Sequence, residues 1–189
     1  YDIKTMKEMG FNCLRKHIKI EPARWYYHCD RLGMLVWQDM PSGGGKYSPV
    51  VQFLPVLFSR FLIKDDRYKL FARADAYGRL QYYKDLEEMI RQLYNCTCIA
   101  VWVPFNEGWG QFDSAKAVEL IESFDRSRTI DHASGWHDQH TGQVQSLHIY
   151  FKPVKFRKDR YGRAVCLTEF GGLTLGLEGH TFGAKESGY

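Results

Sequence analysis

Apolar positions along this chain recur with two periods that alternate. Ile3 and Met6 stand at helical spacing within residues 2 to 9, which stop at the helix-ending Gly10 before the apolar run from Phe11 to Ile20. Pro22 opens a second helical stretch, Ala23 to Arg31, which Gly33 closes; Met34 to Trp37 then reads as a second strand. After Pro41-Ser42-Gly43-Gly44-Gly45 the pattern is lost until about Ala76, and Pro49 and Pro55 leave room only for a short helix. That stretch reads as an insertion over one end of a sheet. From Gly78 to Tyr94, Leu80, Tyr83, Leu86, Met89, Ile90 and Leu93 recur at three and four residues, and a third strand runs from Cys98 to Phe105. Asp113 stands where it would cap the next helix, which runs to about Asp125. Three shorter strands follow: Thr129 to Ala133, Gln145 to Tyr150, and Arg163 to Thr168. Helices alternating with apolar strands predict parallel pairing, hence a (β/α) barrel or a doubly wound sheet.

The polar residues at the strand ends choose between these two. Arg15 and His17, Asp39, Asn106 and Glu107, Trp136, His148 and Tyr150, and Glu169 each follow or close a predicted strand. Chemistry spread around a ring of strand ends is the habit of the barrel, whereas a doubly wound sheet concentrates it at one crevice. A glycine-rich nucleotide fingerprint is also lacking. Two of the ends share a design. Ile99-Ala100-Val101-Trp102-Val103-Pro104-Phe105-Asn106-Glu107-Gly108-Trp109 and Ala164-Val165-Cys166-Leu167-Thr168-Glu169-Phe170-Gly171-Gly172 both pass from an apolar run to a glutamate and then to a glycine. The two glutamates make a candidate pair of acid and nucleophile.

With 189 residues, 44% of them hydrophobic, the chain suits one domain with a sizeable core. The formal charge of +4 comes from interleaved signs, so nucleic acid is not an expected partner. Aromatic residues at 15% suit either sugar stacking or an ordinary core. The five cysteines, odd in number, read as free thiols, which favours a cytoplasmic setting. No run of eighteen apolar residues occurs, so no membrane span is expected. The chain opens in the body of a helix, without an initiator Met, and reads as a piece of a longer protein.

Several motifs, in order, resemble the catalytic barrel of the family 2 glycoside hydrolases, which include β-galactosidases, β-glucuronidases and β-mannosidases. Gly10 to His17 looks like the second barrel strand of that family, and Trp25 to Asp39 like its following helix and third strand. Val101 to Gln111 looks like the fourth strand with the acid/base, and Thr168 to Gly172 like the seventh with the nucleophile. The resemblance implies an α/β fold, a (β/α)8 TIM barrel of which residues 1–189 form a single partial domain holding strands two to seven, with the irregular insertion at about 43–76. Strands one and eight and the N-terminal β-sandwich domains of such an enzyme would lie outside the chain; such a barrel needs about 250 residues. Open edges would invite pairing between copies, so a homo-oligomer is possible. Here His17 follows Arg15 by two residues, where a histidine three residues on is the common pattern.

The resemblance implies hydrolysis of β-linked hexosides with retention, through two carboxyl groups about 5 to 5.5 Å apart. Glu107 would be the acid/base, needing a raised pKa, and Glu169 the nucleophile, kept ionised by Arg15. Asn106 would bind the sugar 2-hydroxyl. Tyr150 would bond the nucleophile, and Trp109 or Trp136 would floor a sugar site or simply pack. Asp39 would bind a sugar hydroxyl or anchor its loop. His17 and His148 complete the candidate substrate contacts, and His180 follows the nucleophile loop. No cofactor is expected. His137-Asp138-Gln139-His140 has two histidines three apart, but glycines bracket it and no third ligand is placed, so no metal is assigned. Two other readings stay open: a non-catalytic carbohydrate-binding or scaffold fragment, and a metal-dependent barrel hydrolase.

Overall fold

The computed structural model describes residues 1–58, 62–150 and 153–171. Gly172 and His180 lie outside the described residues. Helix α1 (Asp2–Glu8) leads to strand β1 (Cys13–Lys16); α2 (Ala23–Leu32) leads to β2 (Leu35–Asp39). Helix α2 stops because Gly33 takes φ +63°, a left-handed conformation open to glycine, and sends its N–H back to the Asp30 carbonyl. Then come α3 (Pro49–Leu57), α4 (Ala76–Leu93), β3 (Ile99–Val103), α5 (Ser114–Phe124) and the strands β4 (Thr129–Ile130), β5 (Val144–Ile149) and β6 (Ala164–Phe170).

Every strand pair is parallel. The order is β1-β2-β3-β4 in one sheet and β5-β6 in a second. A main-chain bond from Gln143 N to the Ile130 carbonyl, 3.1 Å, joins the two sheets, and one from Ala164 N to the Gln143 carbonyl, also 3.1 Å, extends the β5-β6 pairing. Six parallel strands, the first four with helices between them, make an α/β barrel that does not close: β1 and β6 each have a pairing partner on one side only among the described residues. Parallel pairing puts all strand C-termini at one rim, the rim where barrels carry chemistry.

Helix α4 turns Tyr82, Leu86, Met89, Ile90 and Leu93 onto the sheet, where they meet Ile99, Trp102 and Phe105 in one continuous core. The stretch 43–76 contains α3 and a small cluster of its own, Val51, Ile63 and Phe71. It is strapped across the rim: Ser42 Oγ donates to the Trp109 carbonyl at 2.9 Å and Arg73 Nε to the Gly110 carbonyl at 2.8 Å. His137 completes the strap, accepting from Ile63 N at Nδ1 (3.2 Å) and bonding the Val51 carbonyl through Nε2 (2.7 Å).

Two local expectations are corrected. Asp113 takes the N-cap position of α5 with φ +39°, yet its carboxylate accepts from the Tyr68 hydroxyl at 2.9 Å; the Ser114 amide is held instead by Asp65 Oδ2 at 3.0 Å. Strand β4 covers only Thr129–Ile130, because past Asp131 the chain turns so that Ser134 bridges Asn106. Cys13, Cys29, Cys96, Cys98 and Cys166 are all free thiols. No helix among the described residues is long and apolar enough to cross a membrane.

Candidate active site

Asn106 and Glu107 sit three and four residues beyond β3, where the chain leaves the sheet. Asn106 forms a parallel bridge with Ser134, and Glu107 N donates to the Ser134 carbonyl at 2.8 Å. Glu107 itself has φ +49°, a left-handed conformation that costs a non-glycine residue on the order of 1 kcal/mol or more. The surrounding bonds hold its carboxylate over the rim despite that cost.

Glu169 comes from β6, and a bulge aims it. Leu147 pairs with Leu167, but the register slips by one at the next residue and His148 pairs with Glu169. A one-residue slip turns the following side chains to the opposite face, so the bulge sets Glu169 toward Glu107.

The site is built around this pair. The Tyr150 hydroxyl donates to Glu169 Oε2 at 2.5 Å and also lies 3.0 Å from Glu107 Oε1. His148 Nδ1 is 2.8 Å from Glu107 Oε1, and its Nε2 is 3.6 Å from Glu169 Oε1. Arg15 spans the other side: Nη1 to Glu169 Oε1 at 2.6 Å, Nη2 to Asn106 Oδ1 at 2.8 Å, and Nε and Nη2 to the two Asp39 oxygens at 3.0 and 2.9 Å. Asp39 is only 1% exposed and also accepts from Ile18 N. Its two oxygens are thus taken, and it serves as the anchor of Arg15. His17 is half open to solvent with Nδ1 3.4 Å from Asp39. Trp109 meets Tyr47 of the insertion edge to face, ring centres 4.7 Å apart, and the Trp136 ring centre stands 6.5 Å from that of His148. All ten candidate residues thus converge at one rim.

Electrostatics differ from expectation at one point. Burial pushes the Glu107 carboxyl up, but the bond from His148, its electrostatic pull, and the bonds from Tyr150 and Trp109 outweigh burial and hold Glu107 below the usual carboxylate range. The apolar environment expected to raise it is overruled by donors. Burial, then the bond to Glu169 and the charges of both glutamates, drive the Tyr150 phenol far up, so it remains a donor. Burial opposes the charge on Arg15, yet Asp39 and Glu169 raise its pKa further; His17 is raised mainly by Asp39.

Four further residues, Ser134, Ser146, Thr168 and Asp131, belong to the site that the strand-end pattern did not single out. Ser134 Oγ lies 3.0 Å from His148 Nε2 and 3.3 Å from Ser146 Oγ, and Ser146 in turn bonds Thr168. Strand β5 alternates buried and half-buried from Val144, which sets Ser146 and His148 on one face. That period was the available signal. Asp131, fully buried beneath them, is raised by burial.

One oxygen each of Glu107 and Glu169 and a nitrogen of His148 lie within 4.8 Å of one another, a spacing that an ion would accept. Arg15 and Tyr150 already occupy the Glu169 oxygens, and the guanidinium would repel a cation, so we assign none. In the other histidine cluster, both His137 nitrogens are engaged by the insertion backbone and Asp138 pairs with Arg163 at 2.6 Å.

Comparison with known proteins names this architecture. Residues 1–158 match the glycosyl hydrolases family 2 TIM barrel domain. The chain belongs to glycosyl hydrolase family 2. Among solved structures, β-D-glucuronidase from Dictyoglomus thermophilum aligns over 92% of this chain and 32% of its own, at TM-score 0.66 and 15% identity. A family 2 β-galacturonidase from Eisenbergiella tayi, bound to galacturonate, covers 97% of this chain and 33% of its own, at TM-score 0.60 and 18% identity. Parabacteroides merdae β-glucuronidase covers 79% of this chain and 17% of its own, at TM-score 0.52 and 21% identity. No curated protein matches the sequence. The chain therefore spans a third or less of the length of these structures. At such identity the likeness establishes the family 2 barrel fold, and the substrate has to be argued separately.

Proposed function

We propose that the protein is a retaining glycoside hydrolase acting on β-linked hexosides, with Glu107 as acid/base and Glu169 as nucleophile. The observation that carries this reading is the phenol of Tyr150 within hydrogen-bond reach of both carboxylates, at 3.0 and 2.5 Å. A separation this short suits double displacement and leaves no room for the water of an inverting site, which needs about 6.5–9.5 Å between carboxyl groups.

Glu169 Oε2 or Oε1 attacks the anomeric carbon while Glu107 gives its proton to the departing glycosidic oxygen; the C–O bond breaks as the glycosyl ester forms. Glu107, now a carboxylate, then takes a proton from water, whose oxygen displaces Glu169. Arg15 and Tyr150 hold Glu169 aligned through bonds to its two oxygens, which lowers the cost of bringing a nucleophile to the sugar. Asn106, fixed by Arg15, offers its amide to the 2-hydroxyl. His17 and the two tryptophans, Trp109 and Trp136, border the remaining approach.

The outer edges of β1 and β6, unpaired among the described residues, favour a second reading for the chain by itself, a carbohydrate-binding scaffold without turnover. Mass spectrometry after incubation with 2-fluoro-glycosyl fluorides separates the two. A panel of glucuronate, galacturonate, galactose and mannose probes is used, because the neighbours are described as glucuronidases and galacturonidases while the motifs also resemble β-galactosidases. We expect one sugar adduct on Glu169, abolished in Glu169→Gln, on a form of the protein with a closed barrel. Adduct on that form alone makes the isolated chain a scaffold; no adduct on either rejects the mechanism.

A further inference from the structure

The turn that ends β1 is built from a residue ill suited to it. Strand β1 closes at Lys16, and the next two residues turn the chain at the rim that carries Glu169. Ile18 takes φ +50° in that turn, in the left-handed region. Among the described residues six that are not glycine have positive φ, and Ile18 is the one with a branched β-carbon. Branching sets a second heavy atom against the backbone there, so the conformation is a marked outlier for this residue type. Glycine or asparagine would make the same turn at little cost.

A single main-chain bond holds the turn. The Ile18 amide donates to Asp39 Oδ2 at 3.2 Å, the oxygen that also takes Arg15 Nη2 at 2.9 Å and lies 3.4 Å from His17 Nδ1. That bond needs only an N–H, which every residue but proline supplies. Nor does the core require the side chain: Ile18 is half-buried and belongs to neither apolar cluster of the described residues, although Ile20, two residues on, packs against the larger one. Neither backbone nor core accounts for isoleucine here. Strain kept at a site and unexplained by packing points to a use for the side chain at the site itself.

The neighbours of Ile18 indicate which part of a substrate it meets. It follows His17, whose Nδ1 is 3.8 Å from Glu169 Oε1. A nucleophile bonds the anomeric carbon, so the groups around Glu169 surround the glycone, and the leaving group lies on the side of Glu107. We propose that Ile18 is a specificity-determining residue whose side chain packs on a C–H face of the glycone bound over Glu169. This inference rests on the reading of Glu169 as nucleophile. A sugar presents both hydroxyl edges and C–H faces, and a polar imidazole beside an apolar side chain in one turn can engage both. Such a contact binds ground state and transition state alike, so its loss belongs in KM and not in kcat.

Two substitutions in the closed-barrel form test it, because strain and contact move stability and affinity in opposite directions. Ile18→Asn relieves the strain and removes the apolar contact. Its urea midpoint should rise, while KM rises about fivefold or more and kcat stays within about twofold. Ile18→Val keeps the branch and most of the apolar surface, and should leave KM within about twofold. A lower midpoint in Ile18→Asn would mean that Ile18 packs against the strands that close the barrel, and would overturn the proposal; so would an unchanged KM. His17 serves as the control. Its pKa is raised mainly by the bond to Asp39, and its ring should titrate at the same pH in Ile18→Asn. A fall there would trace the loss of affinity to a displaced His17 and remove Ile18 from the contact.

A second arm needs no turnover. Carbon NMR of isoleucine-labelled closed-barrel protein, with the Ile18 methyl assigned by its loss in Ile18→Val, is followed during titration with the methyl β-glycosides of glucuronate, galacturonate, galactose and mannose. The Ile18 methyl should shift with at least one of them. A shift without turnover leaves the contact standing in a protein that binds sugar and does not cleave it. Turnover without a shift removes Ile18 and leaves the glycosidase reading intact, so the two failures are told apart.

Discussion

Arg15 Nη1 donates to Glu169 Oε1 at 2.6 Å, across 154 residues of sequence, and so joins the first strand of the sheet to the last. Since β1 and β6 are the two outer strands among the described residues, this ion pair spans the mouth that those strands leave open. One side chain thereby contributes to both the architecture and the nucleophile.

Replacing Arg15 tests that double role. In Arg15→Met, Asp39 keeps its near-complete burial and loses its bidentate partner, the circumstance in which a broken pair costs about 3–5 kcal/mol. Urea unfolding should show a loss of that order, and Arg15→Met with Asp39→Asn should recover part of it by removing the orphaned charge. Loss in the double variant equal to the sum of the single ones would mean that the two residues are not coupled.

Tyr150→Phe removes one hydroxyl shared by two carboxylates. Without it Glu107 and Glu169 face each other with one fewer donor between them, so we expect turnover of the closed-barrel form to fall roughly 10²-fold, as for loss of a preorganised donor, with stability changed by only about 1 kcal/mol. The Glu107 carboxyl, which that hydroxyl helps hold down, should titrate higher in the variant by carbon NMR. Turnover within twofold of the unaltered enzyme would remove Tyr150 from the mechanism.

Acid sensitivity should arise away from the site, at Arg163. Its guanidinium pairs with Asp138 at 2.6 Å and Asp159 at 3.1 Å, tying the loop after β4 to the segment leading into β6. The bond from Arg163 is the largest cause pulling Asp159 down to about 2, and Asp138, despite burial, is also lowered strongly. A depressed carboxyl contributes stability that is fully present above its unfolded pKa, about 3.9, and is lost as pH falls through the folded value. The urea midpoint should therefore decline between about pH 4 and pH 2, and Arg163→Met should flatten that decline while lowering stability at pH 7. An unaltered slope in the variant would place acid sensitivity elsewhere.

How much of this was legible in the sequence follows from which interactions are local. The strands and helices were readable because apolar periodicity and the glycine that stops α2 act over a few residues. Glu107 and Glu169 were readable because each ends an apolar run. Their alignment was not: it depends on the one-residue slip between β5 and β6, and a bulge leaves no period in the apolar pattern. The acidity of Glu107 was misjudged for a similar reason. Neighbouring aromatic residues suggested desolvation, whereas the donors that prevail, His148 of β5 and Tyr150 just after it, lie more than 40 residues away. Asp113 shows the same effect in miniature, a good local capping residue drawn off by Tyr68 while Asp65, distant in sequence, takes the helix end.

Gly135 couples backbone conformation to the charge of the acid. It has φ +93°, a region that L side chains rarely adopt, and a Cβ there would sit 2.5 Å from two atoms of the His148 imidazole. The ring cannot retreat without leaving Ser134 at 3.0 Å or Glu107 at 2.8 Å. Gly135→Ala should therefore cost about 1–3 kcal/mol from backbone strain, and it should also displace His148, so that Glu107 loses its nearest donor and titrates higher. The two effects are separable. Gly10 has nearly the same φ, +94°, and a Cβ there would meet nothing within 4 Å, so Gly10→Ala carries the strain without the collision. If carbon NMR shows Glu107 shifted upward in Gly135→Ala and unmoved in Gly10→Ala, the packing of His148 against Gly135 governs the charge of the acid. If both variants leave Glu107 alike, that packing does not.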